Sequence, residues 1–216
     1  MFDSARARRN MVDGQVRTAD VTNPDLIAAL LEVPRERFVP AGLEAQAYLD
    51  GEITIAPGRA LPRPMVLARL IQAARVTNRD HVLDVGCGLG YSAAVLARLA
   101  GSVVALEAEA SLAAQAKTAL SANAAGAVVV SGPLPEGWPA AAPYDLILLN
   151  GATEIVPDAL GRQLKPDGRL VCMFGRSPGA KGTIFRLAEG RLAGRAIFDA
   201  AAPLLPGFTA APAFVF

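Results

Sequence analysis

The residues with the most definite chemistry in this chain are Asp84, Gly86, Gly88, Gly90 and Glu107. The segment His81-Val82-Leu83-Asp84-Val85-Gly86-Cys87-Gly88-Leu89-Gly90-Tyr91 reads as a buried strand, Val82 to Val85, running into a glycine-rich turn. A helix is expected next, because Ala93, Ala94, Leu96, Ala97, Leu99 and Ala100 recur at helical spacing. Glycines let a backbone approach a ligand closely, and free N–H groups at a helix start point at it. The unit should therefore cradle a nucleotide-like ligand. Its spacing departs from the dinucleotide fingerprint G-x-G-x-x-G/A, since bulky Tyr91 follows Gly90, and this disfavours a nicotinamide oxidoreductase. Asp84 at the strand end suits a cationic ligand better than a pyrophosphate. Glu107 ends the next strand, Val103 to Leu106, about twenty residues after the loop, where a carboxylate can accept both hydroxyls of a ribose.

These residues must be positioned by alternating strands and helices. Ala127 to Val130, Tyr144 to Asn150 and Arg169 to Phe174 read as further strands, and Ser111 to Asn123 and Ile155 to Leu164 as helices, the latter closed by Lys165-Pro166-Asp167-Gly168. Thr183 to Leu187 and Arg195 to Phe198 are two more candidate strands, joined around Gly190 to Gly194. Alternation of this kind implies a parallel sheet with right-handed crossovers, and the terminal hairpin adds an antiparallel strand. Upstream, Asn23-Pro24 is an N-cap followed by proline at the first helical position, with Leu26, Ile27, Leu30 and Leu31 as the buried face. Pro64 opens another helix, with Val66, Leu67, Leu70, Ile71 and Ala74 inward, and Ile53 to Ile55 forms a brief strand. Residues 1–78 are too irregular for a second domain and read as a cap over the ligand crevice. Residues 79–216 form the binding core of a single domain.

Composition narrows the class. At 216 residues with 52% apolar, the chain can bury a substantial core. Its 21 basic and 20 acidic residues leave no electrostatic footprint for nucleic acid or an anionic membrane. Cys87 and Cys172 are the only cysteines, so neither a disulfide framework nor a zinc site is expected, and no metal is assigned. Residues 1–9 lack the apolar stretch of a signal peptide, and no run is long and apolar enough for a membrane span. A cytoplasmic monomer is expected. The arginines of residues 4–18 read as a solvated face, and His81 as a surface residue.

Asp84 with Gly86, Gly88 and Gly90 resembles the D/E-x-G-x-G-x-G motif of S-adenosylmethionine-dependent methyltransferases. Met11-Val12-Asp13-Gly14-Gln15-Val16-Arg17 and Val33-Pro34-Arg35-Glu36-Arg37-Phe38-Val39-Pro40 are similar to the N-terminal signature of protein L-isoaspartyl O-methyltransferases. Trp138-Pro139, Pro143-Tyr144-Asp145 and residues 163–171 look like the same family. The resemblance implies an α/β fold: a Rossmann-like, doubly wound class I methyltransferase sheet, mostly parallel with an antiparallel strand, plus the N-terminal helical cap. It implies S-adenosylmethionine as methyl donor and S-adenosylhomocysteine as product. The implied acceptor is the carboxylate of isoaspartyl residues in damaged proteins, a repair reaction.

Carried over onto this sequence, the family's cofactor positions are Asp84, Gly86, Cys87, Gly88, Gly90, Glu107, Ala60, Leu61, Pro133 and Leu134. Two departures stand out. The family's G-x-T-I-S-x-P segment is here Gly58-Arg59-Ala60-Leu61-Pro62-Arg63-Pro64, so Pro62 replaces the active-site serine. The family's Gly-Asp-Gly is Gly132-Pro133-Leu134, without the carboxylate expected to face the adenine amine. Arg59 and Arg63 flank the gap and could bind a substrate carboxylate bidentately. Asn150 and Thr153, at the crevice end of a strand, are candidates for touching substrate. The loss of the serine leaves open a different acceptor on the same fold, or a non-catalytic cofactor-binding homologue.

Overall fold

The protein is described by a computed structural model covering residues 2–124 and 126–211. Helix α1 (Ser4–Met11) runs into a π-helical turn, Val12–Val16, and buries Met11, Val12 and Val16. Helix α2 (Pro24–Glu32) starts where expected, with the Asn23 side chain accepting from Leu26 N–H. Strands β1 (Ile53–Ala56) and β2 (Arg59–Leu61) pair as an antiparallel hairpin outside the main sheet. Helix α3 (Pro64–Ala74) follows, with Val66, Leu67, Leu70 and Ile71 buried.

The core then alternates: β3 (His81–Val85), α4 (Tyr91–Leu96), β4 (Ser102–Glu107), α5 (Ala110–Asn123), β5 (Ala127–Ser131), β6 (Tyr144–Thr153), α6 (Asp158–Gly161), β7 (Leu164–Phe174), β8 (Lys181–Ala188) and β9 (Arg191–Asp199). The sheet order is β5-β4-β3-β6-β7-β8-β9. Strands β3 to β7 are mutually parallel, and β8 runs antiparallel to both neighbours. The order reverses between β3 and β6. In open α/β sheets, ligands bind at such a switch point, beyond the carboxyl ends of the strands.

Alternate residues of each strand face opposite sides. Val82, Leu146, Leu148, Val171 and Met173 pack with the N-terminal helices, α3 and α4 in one core. Leu83, Val85, Ile147, Leu149, Leu170 and Cys172 pack on the other side with Leu160, Leu205 and Phe208. That second face departs from expectation. The helix expected over Ile155 to Leu164 contracts to the four residues of α6, and Leu164 to Gly168 join β7. Pro157 and Gly161 bound the short helix, and Gly161 has no room for a side chain because a Cβ there would lie 2.8 Å from Leu192. The face is closed instead by residues 203–208, which bond along β6: Ala152 N–H to Pro203 O at 2.7 Å, Leu205 N–H to Ala152 O at 2.9 Å and Glu154 N–H to Phe208 O at 2.9 Å. The β8–β9 turn lies at Glu189 and Gly190, both with positive φ, rather than across Gly190 to Gly194.

The first residues are also less solvated than their arginines suggest. Arg8 donates to the Tyr48 hydroxyl and to Leu31 O and Glu32 O, and pairs with Glu36. Arg17 does face solvent, bonded to Asp13 one helical turn back.

Candidate active site

The glycine loop sits at the switch point. Gly86, Gly88 and Gly90 have φ of 76°, 59° and 98°, a left-handed region that side chains rarely adopt. Four of its five amides are already spent. Gly86 and Cys87 N–H donate to Leu106 O, Gly90 N–H donates to Cys87 O, and Gly88 N–H reaches Glu107 Oε2 at 2.8 Å. A loop that turns these donors inward cannot wrap a phosphate in the manner of a P-loop, and it leaves recognition to the flanking carboxylates.

Asp84 is fully buried at the end of β3 and points to the α4 side, where the Ser92 hydroxyl donates to its Oδ2 at 2.6 Å. Asn150 of β6 donates to Ser92 Oγ at 2.9 Å and to Gly86 O at 3.4 Å, so the loop, α4 and β6 share one polar chain. The other Asp84 oxygen has no partner among the described residues. Burial pushes the Asp84 carboxyl up to about 7, opposed by the Ser92 hydrogen bond and reinforced by the nearby Glu107 charge. The same burial raises the Cys87 thiol well above its usual range, so Cys87 is an inert packing group.

Glu107 ends β4 fully buried. It accepts from Gly88, Ala108 and Glu109 N–H at 2.8, 2.9 and 3.2 Å. It also receives both arms of Arg59, Nη1 to Oε1 at 2.5 Å and Nη2 to Oε2 at 2.7 Å. Arg59 Nη2 reaches Gly86 O at 3.2 Å as well. The chain upstream of β3 therefore enters the crevice through the β1–β2 hairpin. The hairpin also brings Ile55 Cδ1 within 2.6 Å of a Cβ built on Gly88, while Leu205 lies 3.1 Å from one on Gly86.

The pattern that defines the protein-L-isoaspartate(D-aspartate) O-methyltransferase family matches residues 6–189. The chain belongs to this family. A protein-L-isoaspartate O-methyltransferase of Methylorubrum extorquens (strain PA1) is 41% identical to it over 187 residues, covering 87% of this chain and 81% of that one. A solved protein-L-isoaspartate O-methyltransferase superposes with TM-score 0.80 at 22% identity, over 93% of this chain and 66% of that one. The fold is likewise that of a Plasmodium falciparum structure described as a putative enzyme of this name in complex with S-adenosyl-L-homocysteine, with TM-score 0.76 and 17% identity over 95% of this chain and 99% of that one.

In this isoaspartyl methyltransferase frame, the residues singled out from the sequence fall into three groups. Asp84, Gly86, Cys87, Gly88, Gly90, Glu107 and Arg59 converge within the crevice. Asn150 holds the loop from beneath, and Thr153 caps its own turn through Ile155, its hydroxyl donating to Ile155 O at 2.7 Å. The remainder point elsewhere. Arg63 is a surface residue paired with Asp50 at 2.8 Å, Leu61 and Leu134 pack into the cores, Ala60 is half-buried and Pro133 is exposed. Pro62 is buried, its carbonyl held at 2.7 Å by the Nη2 of Arg35.

Arg35, Ser92, Ile55 and Leu205 are site residues that sequence reasoning passed over. Arg35 is fully buried, donates to Ala47 O at 2.8 Å and lies 4.7 Å over the Tyr91 ring, which locks the Pro62 segment against α4. Its place inside the Val33 to Pro40 block was the available signal. Ser92, at the second position of the helix opened by the glycine loop, was similarly within reach of inspection. His81 does not face a reacting group: its ring bonds Ser102 and Ala141 O and stacks on Tyr144 at a centroid distance of 4.8 Å.

The side-chain types suit S-adenosylmethionine, with a carboxylate for a sugar at Glu107, negative charge near a cationic centre at Asp84 and a glycine backbone between them. The space above that backbone is filled by Arg59, Ile55 and Leu205.

Proposed function

We propose that this chain transfers a methyl group from S-adenosylmethionine to the carboxylate of isoaspartyl residues in damaged proteins, the first step of their repair. The family match over residues 6–189, with Asp84 and Glu107 flanking the same glycine loop, carries the reading. When bound, S-adenosylmethionine supplies an electrophilic methyl carbon, and Glu107 and Asp84, with the glycine loop between them, are the residues that would hold it. A carboxylate acceptor has an ordinary pKa near 4 and is ionised at neutral pH, so the chain needs no general base. Its residues have instead to orient the two partners and exclude water, and orientation alone can supply about 7–11 kcal/mol. Ser92 and Asn150 serve that end by fixing Asp84 and the loop, and Arg35 by fixing the Pro62 segment. The reading extends to a cytoplasmic, monomeric protein. Among the described residues no helix is long and apolar enough to cross a membrane.

Pro62 favours one second reading, a methyltransferase of this fold with another acceptor. Labelled S-adenosylmethionine offered with an isoaspartyl peptide and its normal aspartyl twin separates the two. Base-labile label is expected on the isoaspartyl peptide alone, and methylation of neither peptide by folded protein overturns the repair reading. In the same assay Pro62→Ser should raise kcat/KM for the isoaspartyl peptide by up to about tenfold, the worth of one recovered hydrogen bond. An unchanged value would mean that position 62 does not meet substrate.

A further inference from the structure

Glu107 is the residue through which the proposed function recognises the donor's ribose, yet nothing of its carboxylate is left over. Five donors reach its two oxygens: three backbone amides and both arms of Arg59. A carboxylate offers about four lone-pair sites, so a ribose could bond Glu107 only by displacing one of these donors. The amides belong to the loop and to the chain that follows β4, and they cannot leave without unfolding the site. Arg59 can. It is carried on β2, a three-residue strand whose partner is β1, and among the described residues the hairpin has no strand pairing with the main sheet. The hairpin turns at Gly58, which has φ of 68° and no atom within 4 Å of where a Cβ would stand, so the tip is unobstructed there, while Arg35 holds the chain just beyond β2 at Pro62 O. Arg59 and Ile55, both on this hairpin, stand over the glycine loop at Gly86 and Gly88.

We propose that Arg59 is an internal occupant of the donor's sugar site, a latch that holds the β1–β2 hairpin closed on Glu107 and must be displaced for S-adenosylmethionine to bind. The inference rests on the isoaspartyl methyltransferase reading of this crevice and adds to it a competition built into the chain. A ligand that binds only the unlatched state has its apparent affinity reduced by the fraction of molecules in that state. Weakening the latch therefore raises affinity, whereas an arginine with a purely structural role would lower affinity when removed. The closed arrangement also gives an ordering: the hairpin moves, the guanidinium leaves both oxygens of Glu107, and those oxygens then become available to two vicinal hydroxyls.

The test is calorimetric titration of S-adenosylhomocysteine into the full chain, comparing the unaltered protein with Arg59→Ala and Arg59→Gln. Arg59→Gln keeps one amide donor for Glu107 and decides the matter if the alanine variant fails to fold by circular dichroism. At least tenfold tighter binding by a folded variant is the expected result. Binding equal to or weaker than that of the unaltered protein overturns the latch but leaves the cofactor reading standing. No binding by any of the three folded proteins overturns the cofactor reading, and the latch with it.

Discussion

Replacing Arg169 by leucine should lower the free energy of unfolding by about 3–5 kcal/mol, the usual consequence of leaving one partner of a buried ion pair alone. Arg169 lies on β7, and its guanidinium bonds Asp80 twice, Nη2 to Oδ2 at 2.6 Å and Nη1 to Oδ1 at 3.3 Å. The same side chain donates to Ala74 O at 2.7 Å, Arg75 O at 3.1 Å and Asp145 O at 3.0 Å. One residue thus ties together the end of α3, the turn before β3, the start of β6 and the middle of β7, beneath the strands that carry Asp84 and Asn150 towards their other ends. Leucine matches the stem but abandons a carboxylate and three carbonyls in a site where the pair's side chains are only 10% exposed. Arg169→Lys should fall between, because an ammonium keeps the charge and loses the planar fork. Urea unfolding followed by circular dichroism reads the effect as a lower midpoint at unchanged slope. A loss below about 1 kcal/mol would show that the network contributes little beyond ordinary surface pairing.

What the sequence made legible follows from how local each signal is. The β3 strand and its glycine turn are announced by an apolar run beside three glycines, and α2 by Asn23-Pro24 against inward Leu26, Ile27 and Leu30, although Ala29 rather than the expected Leu31 completes the buried face. Each of these is decided within a dozen residues. Arg59 could not be resolved in that way. Its strand is three residues long, without periodicity, and its partner lies 48 residues further on. Proximity to Pro62 invited a substrate role for both Arg59 and Arg63, but Arg59 lies in β2 and turns inward to Glu107, whereas Arg63 stands past the strand at the N-cap of α3 and turns outward to Asp50. Residues 203–208 were illegible for a related reason: they bond to β6 by backbone groups, which every sequence possesses, and Leu205 reaches Gly86 only because that pairing exists. Ile155 to Leu164 misled because its apolar content satisfies a helix, whereas Pro157, Gly161 and the parallel pairing of Leu164 with Tyr144 favour a short turn and a long strand. Local pattern thus found the frame of the crevice, and long-range pairing determined what fills it.

Asp84→Asn should make the protein more stable at pH 8 by up to about 4 kcal/mol while changing little at pH 4. The sign follows from the direction of the shift. The folded state holds the Asp84 carboxyl at about 7, above the ordinary value of 3.8, so folding favours the protonated form. That contribution is fully present below the unfolded value, declines as pH rises from 3.8 and is lost by the time pH passes through 7. Asparagine has the same shape, carries no charge to desolvate and can still accept from Ser92, whose hydroxyl lies 2.6 Å from the present carboxylate. Its second polar atom falls where the unpartnered oxygen of Asp84 now sits, so the full gain will be reduced by one poorly satisfied amide. Urea midpoints of both proteins at pH 4, 6 and 8 give the test: curves that converge at low pH and separate above pH 6 are expected, and a constant offset across the range would refute the buried-charge account. Under the proposed function, the charge of Asp84 serves the donor. Asparagine at position 84 should therefore weaken S-adenosylhomocysteine binding less than S-adenosylmethionine binding, since only the donor carries a positive sulfur for that charge to meet.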